Sequence, residues 1–208
     1  KSIRIGMHAI ALTDHGNMYG IKELLDYSKK ANSKLKAQAE EAGTEFVPFK
    51  PIVGIEAYCA RRGRLMQDKD YKVTTAEGKV QVVDMGGWHL ILLAKNKTGY
   101  HNLCKLTSQS FIDGFYRSAR IDKELLEECH EGLICCSACV GGELPQKIIQ
   151  ALAIDNPQLT DEERFAEAEA TIKWFKNLFG EDYYIELQRH QTEKPGADTH
   201  TYQVQKVV

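Results

Sequence analysis

Long apolar runs are missing from this chain: none approaches the roughly 18 residues that a membrane-spanning helix requires. The opening residues, Lys1 to Met7, mix charge with isoleucine and lack the apolar centre of a secretory leader. The reading is a cytosolic protein without membrane contact. An excess of basic charge is missing too, with 27 Lys+Arg against 29 Asp+Glu and a formal net charge of −2. A dedicated nucleic-acid coat is far more basic. Any contact with DNA is therefore confined to a local cleft or to a neighbouring domain. Cysteine is too sparse for a secreted disulfide framework. The six cysteines, at 59, 104, 129, 135, 136 and 139, read as reduced core residues, with one or two available as ligands. No internal repeat and no low-complexity tract interrupts the chain.

What is present is an ordinary globular composition, 43% hydrophobic and 27% charged over 208 residues. That length provides one sizeable core or two small ones. Apolar, β-rich runs recur over residues 8–13, 51–58, 89–94, 132–137 and 183–187. Their apolar content is nearly continuous, as in parallel strands buried on both faces. Helical patterns separate them, which gives an α/β fold class built from βαβ units.

Helices are predicted over 19–31, over 98–111 with Thr98 as N-cap, and over 123–129 behind an Asp122 cap. The clearest signal is Thr160 with Glu163, the spacing of a capping box. Phe165, Ala168, Ile172, Phe175 and Phe179 then form one apolar stripe, stopped by Gly180. Residues 32–50 read as a Lys/Glu/Ala-rich surface insertion. Residues 61–87 read as a hairpin-like excursion with an alternating run over 79–84. Residues 1–6 resemble the last turn of a helix closed by Gly6, and the chain stops inside a new helix that starts near Asp198. Both ends suggest a piece of a larger protein.

Strand ends are where α/β folds deliver functional groups. Asp14 and His15 end the first run, Glu56 lies late in the second, and His89 opens the third. Cys139 follows the fourth, and His190 ends the fifth. Imidazole, carboxylate and thiolate are the donors that hold zinc- or manganese-like ions. Each residue also has a plainer reading. Asp14 and His15 fit a structural hydrogen-bonded pair, His89 beside Trp88 a satisfied core histidine, and Cys139 a buried small hydrophobe. Glu56 resists such a reading, because an unpaired carboxylate in an apolar strand costs about several kcal/mol. Cys136-Ser-Ala-Cys139 is formally a C-x-x-C motif and raises thiol redox chemistry as a weaker alternative. A zinc knuckle would need a second such pair, and the sequence has none. Asp198 and His200 have metal-pair spacing but precede a helix, and read as an N-cap and an exposed histidine.

Taken in order, the segments carry a resemblance. Ala11-Leu-Thr-Asp-His-Gly-Asn-Met-Tyr-Gly20, Lys50-Pro-Ile-Val-Gly-Ile-Glu-Ala-Tyr58 and His89-Leu-Ile-Leu-Leu-Ala-Lys-Asn96 resemble the PHP (polymerase and histidinol phosphatase) domain as it occurs in bacterial DNA polymerase III α subunits. Gly114-Phe-Tyr116, Glu131-Gly-Leu-Ile134, Ser137-Ala-Cys139, Gly142-Glu-Leu-Pro145 and Tyr184-Ile-Glu-Leu-Gln-Arg-His190 continue it. The resemblance covers nearly the whole chain outside the two insertions, which makes 1–208 a partial PHP domain.

It implies a distorted (β/α)7 barrel whose first and last strands are not in this sequence. Up to three divalent metals, zinc or manganese, would sit at its mouth. His15, Glu56, His89 and Cys139 match ligand positions, Asp14 matches a group that orients the His15 imidazole, and His190 sits at the rim. The implied activity of the parent is metal-dependent phosphodiester hydrolysis, a 3′→5′ exonuclease for proofreading, alongside a polymerase site elsewhere. DNA, the rest of the α subunit and other replicase subunits are the implied partners. The alternatives are a metal-free module that braces the polymerase, and a stand-alone phosphatase for a small phosphate ester. The family's H-x-H strand and its N-D-x-H strand end are absent here, so the metal site of residues 1–208 is expected to be incomplete and inactive on DNA.

Overall fold

An unbroken ten-residue strand, β2 (Lys50–Cys59), is the spine of the molecule. The computed structural model describes residues 1–67, 72–74, 80–82, 86–154 and 156–188. Strand β1 (Ala9–Leu12) pairs in parallel with the first half of β2, from Ala9 opposite Lys50 to Leu12 opposite Val53. Further along the same edge, β6 (Arg120–Ile121) adds in parallel beside Tyr58 and Cys59. On the other edge β5 (Trp88–Ala94) runs antiparallel, with Tyr58 opposite His89 and Glu56 opposite Ile91. Next come β7 (Leu133–Cys136), antiparallel to β5, and β8 (Tyr183–Tyr184), parallel to β7. The result is a mixed six-stranded sheet in the order β1-β2-β5-β7-β8, with β6 on β2. Strands β3 (Lys72–Thr74) and β4 (Val80–Val82) form a separate antiparallel pair inside the 61–87 segment.

This corrects the expectation of an all-parallel sheet. Among the described residues between β2 and β5 there is no helix, and an antiparallel neighbour needs no crossover.

Burial along the strands also departs from expectation, because it alternates. In β5, Trp88, Leu90 and Leu92 are buried, whereas His89, Ile91 and Leu93 are half-covered. In β2, Ile55, Ala57 and Cys59 are buried, with Glu56 and Tyr58 on the half-covered face. Period-two geometry thus divides the sheet into a sealed face and a partly open one.

The sealed face packs on α2 (Lys97–Ile112), α3 (Lys123–Cys129) and α5 (Asp161–Phe179). Leu103, Leu106, Leu125, Leu126, Phe175 and Phe179 join the strand residues in one core. A smaller cluster joins α4 (Glu143–Leu152) to α5 through Leu144, Ile148, Ile149 and Ala168. No helix among the described residues is long and apolar enough to cross a membrane.

The local helix signals are mostly met. Thr160 and Glu163 form both bonds of the capping box, and Asp122 accepts from the Leu125 amide. Gly180 closes α5 with φ 57°. The cap of α2 is Asn96, whose side chain accepts from Gly99, and not Thr98, which lies inside the helix. Helix α1 (Ile21–Ala42) continues well past residue 31. Asn32 then clamps the return of the chain, donating to the Phe49 carbonyl and accepting from its amide at 3.0 and 2.8 Å. At the amino end a short 3-10 turn, Ile3–Ile5, closes on Gly6 at φ 81°.

The two kinds of contact differ in magnitude. Leu92→Ala, at a fully buried position, is expected to lower unfolding free energy by about 2–5 kcal/mol. Thr160→Ala is expected to cost about 1 kcal/mol through loss of the cap. Urea titrations of the two variants give the comparison directly.

Candidate metal centre

The first functional loop is fixed by its backbone. Beyond β1, the Glu56 amide donates to the Asp14 carbonyl at 3.0 Å, and the Gly16 amide donates to the Glu56 carbonyl at 2.8 Å. These bonds make His15 an additional bridge partner of Glu56 beyond the end of β1. Gly16 turns the chain with φ 65°, a left-handed conformation that suits glycine. Asn17 donates to the His15 carbonyl, and the Asp14 carboxylate accepts the Gly20 amide at 2.9 Å, which secures the way into α1.

His89 reaches the same place through strand direction. Because β5 is antiparallel to β2, its first residues lie beside the last residues of β2. Glu56, Tyr58 and His89 share one face of that pair, and cross-strand neighbours on one face lie within side-chain reach. Beyond β7 the chain folds back on His89. The His89 amide donates to the Gly141 carbonyl at 3.0 Å, and the Gly142 amide donates to the Cys139 carbonyl at 2.9 Å. Ala138, just before Cys139, has φ 63°. For a non-glycine residue that conformation costs about 1–2 kcal/mol, strain held at the loop that presents the thiol.

Three donors converge. His89 Nδ1 is 2.8 Å from Glu56 Oε1 and 3.4 Å from Cys139 Sγ. The Gly141 amide donates to the same sulfur at 3.4 Å. Among the described residues, Glu56, His89 and Cys139 form a group whose ligand atoms all lie within 4.8 Å of one another. His15 stands outside this trio and joins it through the other carboxylate oxygen, with Nδ1 3.4 Å from Glu56 Oε2. The Glu56 carboxylate therefore sits between two imidazoles. Its side chain is 15% exposed, against 28% for His89 and 63% for His15. A tetrahedral zinc ion with ligand bonds of about 2.0–2.3 Å separates its donors by about 3.3–3.8 Å. The imidazole, carboxylate and thiol set suits such an ion, and the 3.4 Å between His89 and Cys139 matches its donor spacing. The 2.8 Å between His89 and Glu56 is instead a hydrogen-bond distance that would widen around an ion.

The sequence-selected residues thus divide. His15, Glu56, His89 and Cys139 come together. Asp14 lies on the His15 loop, with its carboxylate on Gly20. His190, Asp198 and His200 lie outside the described residues. Arg120 escaped sequence reading, since a cation is normally expected at the surface. It is fully buried and donates to the carbonyls of Gly114, Arg64 and Met66, anchoring the strand beside Tyr58.

The thiol redox alternative finds no support. A reactive C-x-x-C cysteine needs a stabilised thiolate. Burial, and then the Glu186 carboxylate, instead push the Cys136 thiol up.

The PHP domain family model matches residues 1–190. The chain belongs to the PHP domain family. It is 42% identical over 192 residues to the DNA polymerase III subunit alpha of Borreliella burgdorferi, a match covering 91% of this chain and 13% of the relative. Identity is 37% over 182 residues to the protein of that name from Thermus aquaticus, covering 88% of this chain and 12% of the relative. It is 35% over 182 residues to that from Deinococcus radiodurans, covering 88% and 11%. This PHP domain therefore spans about an eighth of the length of the curated relatives it matches.

In the core of the PHP domain, burial pushes the Cys59 thiol from 9.0 up to about 12. Between those values the unfolded chain has released the proton and the folded chain still holds it. Stability must therefore fall as pH rises above about 9, by on the order of 1 kcal/mol per pH unit from this residue. Cys59→Ala is expected to flatten the alkaline limb of a stability–pH profile measured by urea unfolding.

Proposed function

We propose that this PHP domain is part of the α subunit of a bacterial replicative DNA polymerase, where it forms a divalent-metal centre for phosphodiester hydrolysis. The activity in the intact protein is then a 3′→5′ exonuclease that proofreads new DNA. The observation that carries this reading is the Glu56 carboxylate held between the His15 and His89 imidazoles, with the Cys139 thiol against His89. The mixed sheet is read as part of a distorted (β/α)7 barrel, completed by strands outside residues 1–208. Its partners are DNA, the rest of the α subunit and other replicase subunits.

Glu56, His89 and Cys139 would hold a zinc or manganese ion, with His15 as a further ligand at the exposed side. Ions held by such donors would supply Lewis acidity at a phosphoryl oxygen and would make water a stronger acid near neutral pH. The protein groups orient one another. Glu56 engages both histidines and so fixes the face each ring presents. The Gly141 amide donates to the Cys139 sulfur and fixes where it points. Asp14 would hold the His15 loop in place through Gly20, and His190 would stand at the rim.

One observation favours the second reading, a metal-free module that braces the polymerase. The net charge of −2 gives the domain no overall attraction for a DNA backbone.

Metal analysis of the full-length subunit separates the two. Two to three ions per chain, depleted in Glu56→Ala and His15→Ala, are expected, together with loss of 3′-end trimming of a labelled oligonucleotide. No bound metal in the full-length subunit would establish the bracing role. Residues 1–208 alone are expected to bind metal weakly, and tight uptake of three ions by that piece would overturn the view of an incomplete site.

A further inference from the structure

We propose that Tyr58 is a positioning residue of the centre, whose ring sets the tilt and separation of the His15 and His89 imidazoles. The inference rests on the metal-centre reading for its consequence, but its geometry stands alone. The three rings close a triangle. Tyr58 stacks on His15 with centroids 6.3 Å apart and planes at 17°, and meets His89 edge-on at 5.3 Å and 76°. The imidazoles stand 5.9 Å apart at 65°.

Tyr58 is itself held on several sides. It lies opposite His89 on β5 and opposite Arg120 on β6, the arginine anchored by three backbone carbonyls. Gly16 provides the seat: a Cβ there would come within 3.1 Å of the ring. A flat side chain with few rotamers, clamped in this way, transmits strand geometry to both histidines. Glu56 can then meet one nitrogen of each ring with one oxygen apiece. No described residue hydrogen-bonds the Tyr58 hydroxyl, so the ring is the acting part.

The test compares Tyr58→Phe, which keeps the ring, with Tyr58→Leu, which removes it, in the full-length subunit. Tyr58→Met replaces the leucine variant if leucine fails to support the fold. Cobalt(II) is the probe, read by dissociation constant and by its visible absorption. Histidine ring-proton shifts by NMR, measured on metal-free residues 1–208, supply a readout independent of the ion.

Tyr58→Phe is expected to bind cobalt within about twofold of the unsubstituted protein, with the same spectrum. Tyr58→Leu is expected to bind about 10–100-fold more weakly, with an altered spectrum and displaced His15 and His89 resonances. Unchanged cobalt binding, spectrum and ring shifts in Tyr58→Leu would overturn the proposal. Equal losses in both variants would also overturn it, since the hydroxyl would then be the acting group. If the unsubstituted protein takes up no cobalt, the metal reading fails. The ring shifts then decide the positioning role by themselves.

Discussion

The antiparallel pairing of β5 on β2 is the constraint on which the rest depends. Had β5 run parallel over the same six residues, its opening residues would lie beside Gly54 and Ile55, and His89 would lose its place opposite Tyr58. Reversal places His89 opposite Tyr58 and diagonal to Glu56. The same reversal lets β7 run back along β5, so that the chain beyond Cys136 arrives at His89 and folds Cys139 against it. A single choice of strand direction therefore assembles three donors that lie far apart in sequence.

Glu56 illustrates how burial and charge are reconciled there. A carboxylate in an apolar strand is unfavourable when left alone. Here each oxygen faces an imidazole nitrogen, and the backbone of the same residue is bonded to Asp14 and Gly16. Position and polar partners are thus fixed together. Arg120 follows the same logic at the neighbouring strand, with backbone carbonyls as its acceptors. Both polar groups hold loops in place beside an otherwise apolar core.

Much of the local structure was legible in the sequence, because capping and periodicity act over a few residues. Thr160 and Asp122 declared their helices through side-chain oxygen at the right spacing, and the Phe165-to-Phe179 stripe declared the buried face of α5. Thr98 misled because Asn96, two residues earlier, offers the better acceptor. The positions of the strands could be read, whereas the direction of β5 could not, since it is decided by pairing with residues some thirty positions away. The nearly continuous apolar runs also concealed the alternation, for Ile91 and Leu93 are as apolar as Leu90 and Leu92. At the centre, residue type pointed to His15, Glu56, His89 and Cys139. The ring of Tyr58 carried no such signal, because an aromatic in a strand is usually packing.

The alternation along β2 and β5 also bears on how such a domain changes over time. The buried residues Ile55, Ala57, Leu90 and Leu92 and the candidate-centre residues Glu56, Tyr58 and His89 are interleaved on one backbone but face opposite ways. Replacing a residue of the open face leaves the sealed face intact, and repacking the core leaves the open-face residues in register. The open face is therefore free to change one side chain at a time while the fold persists, so a lineage that keeps the fold need not keep the candidate centre.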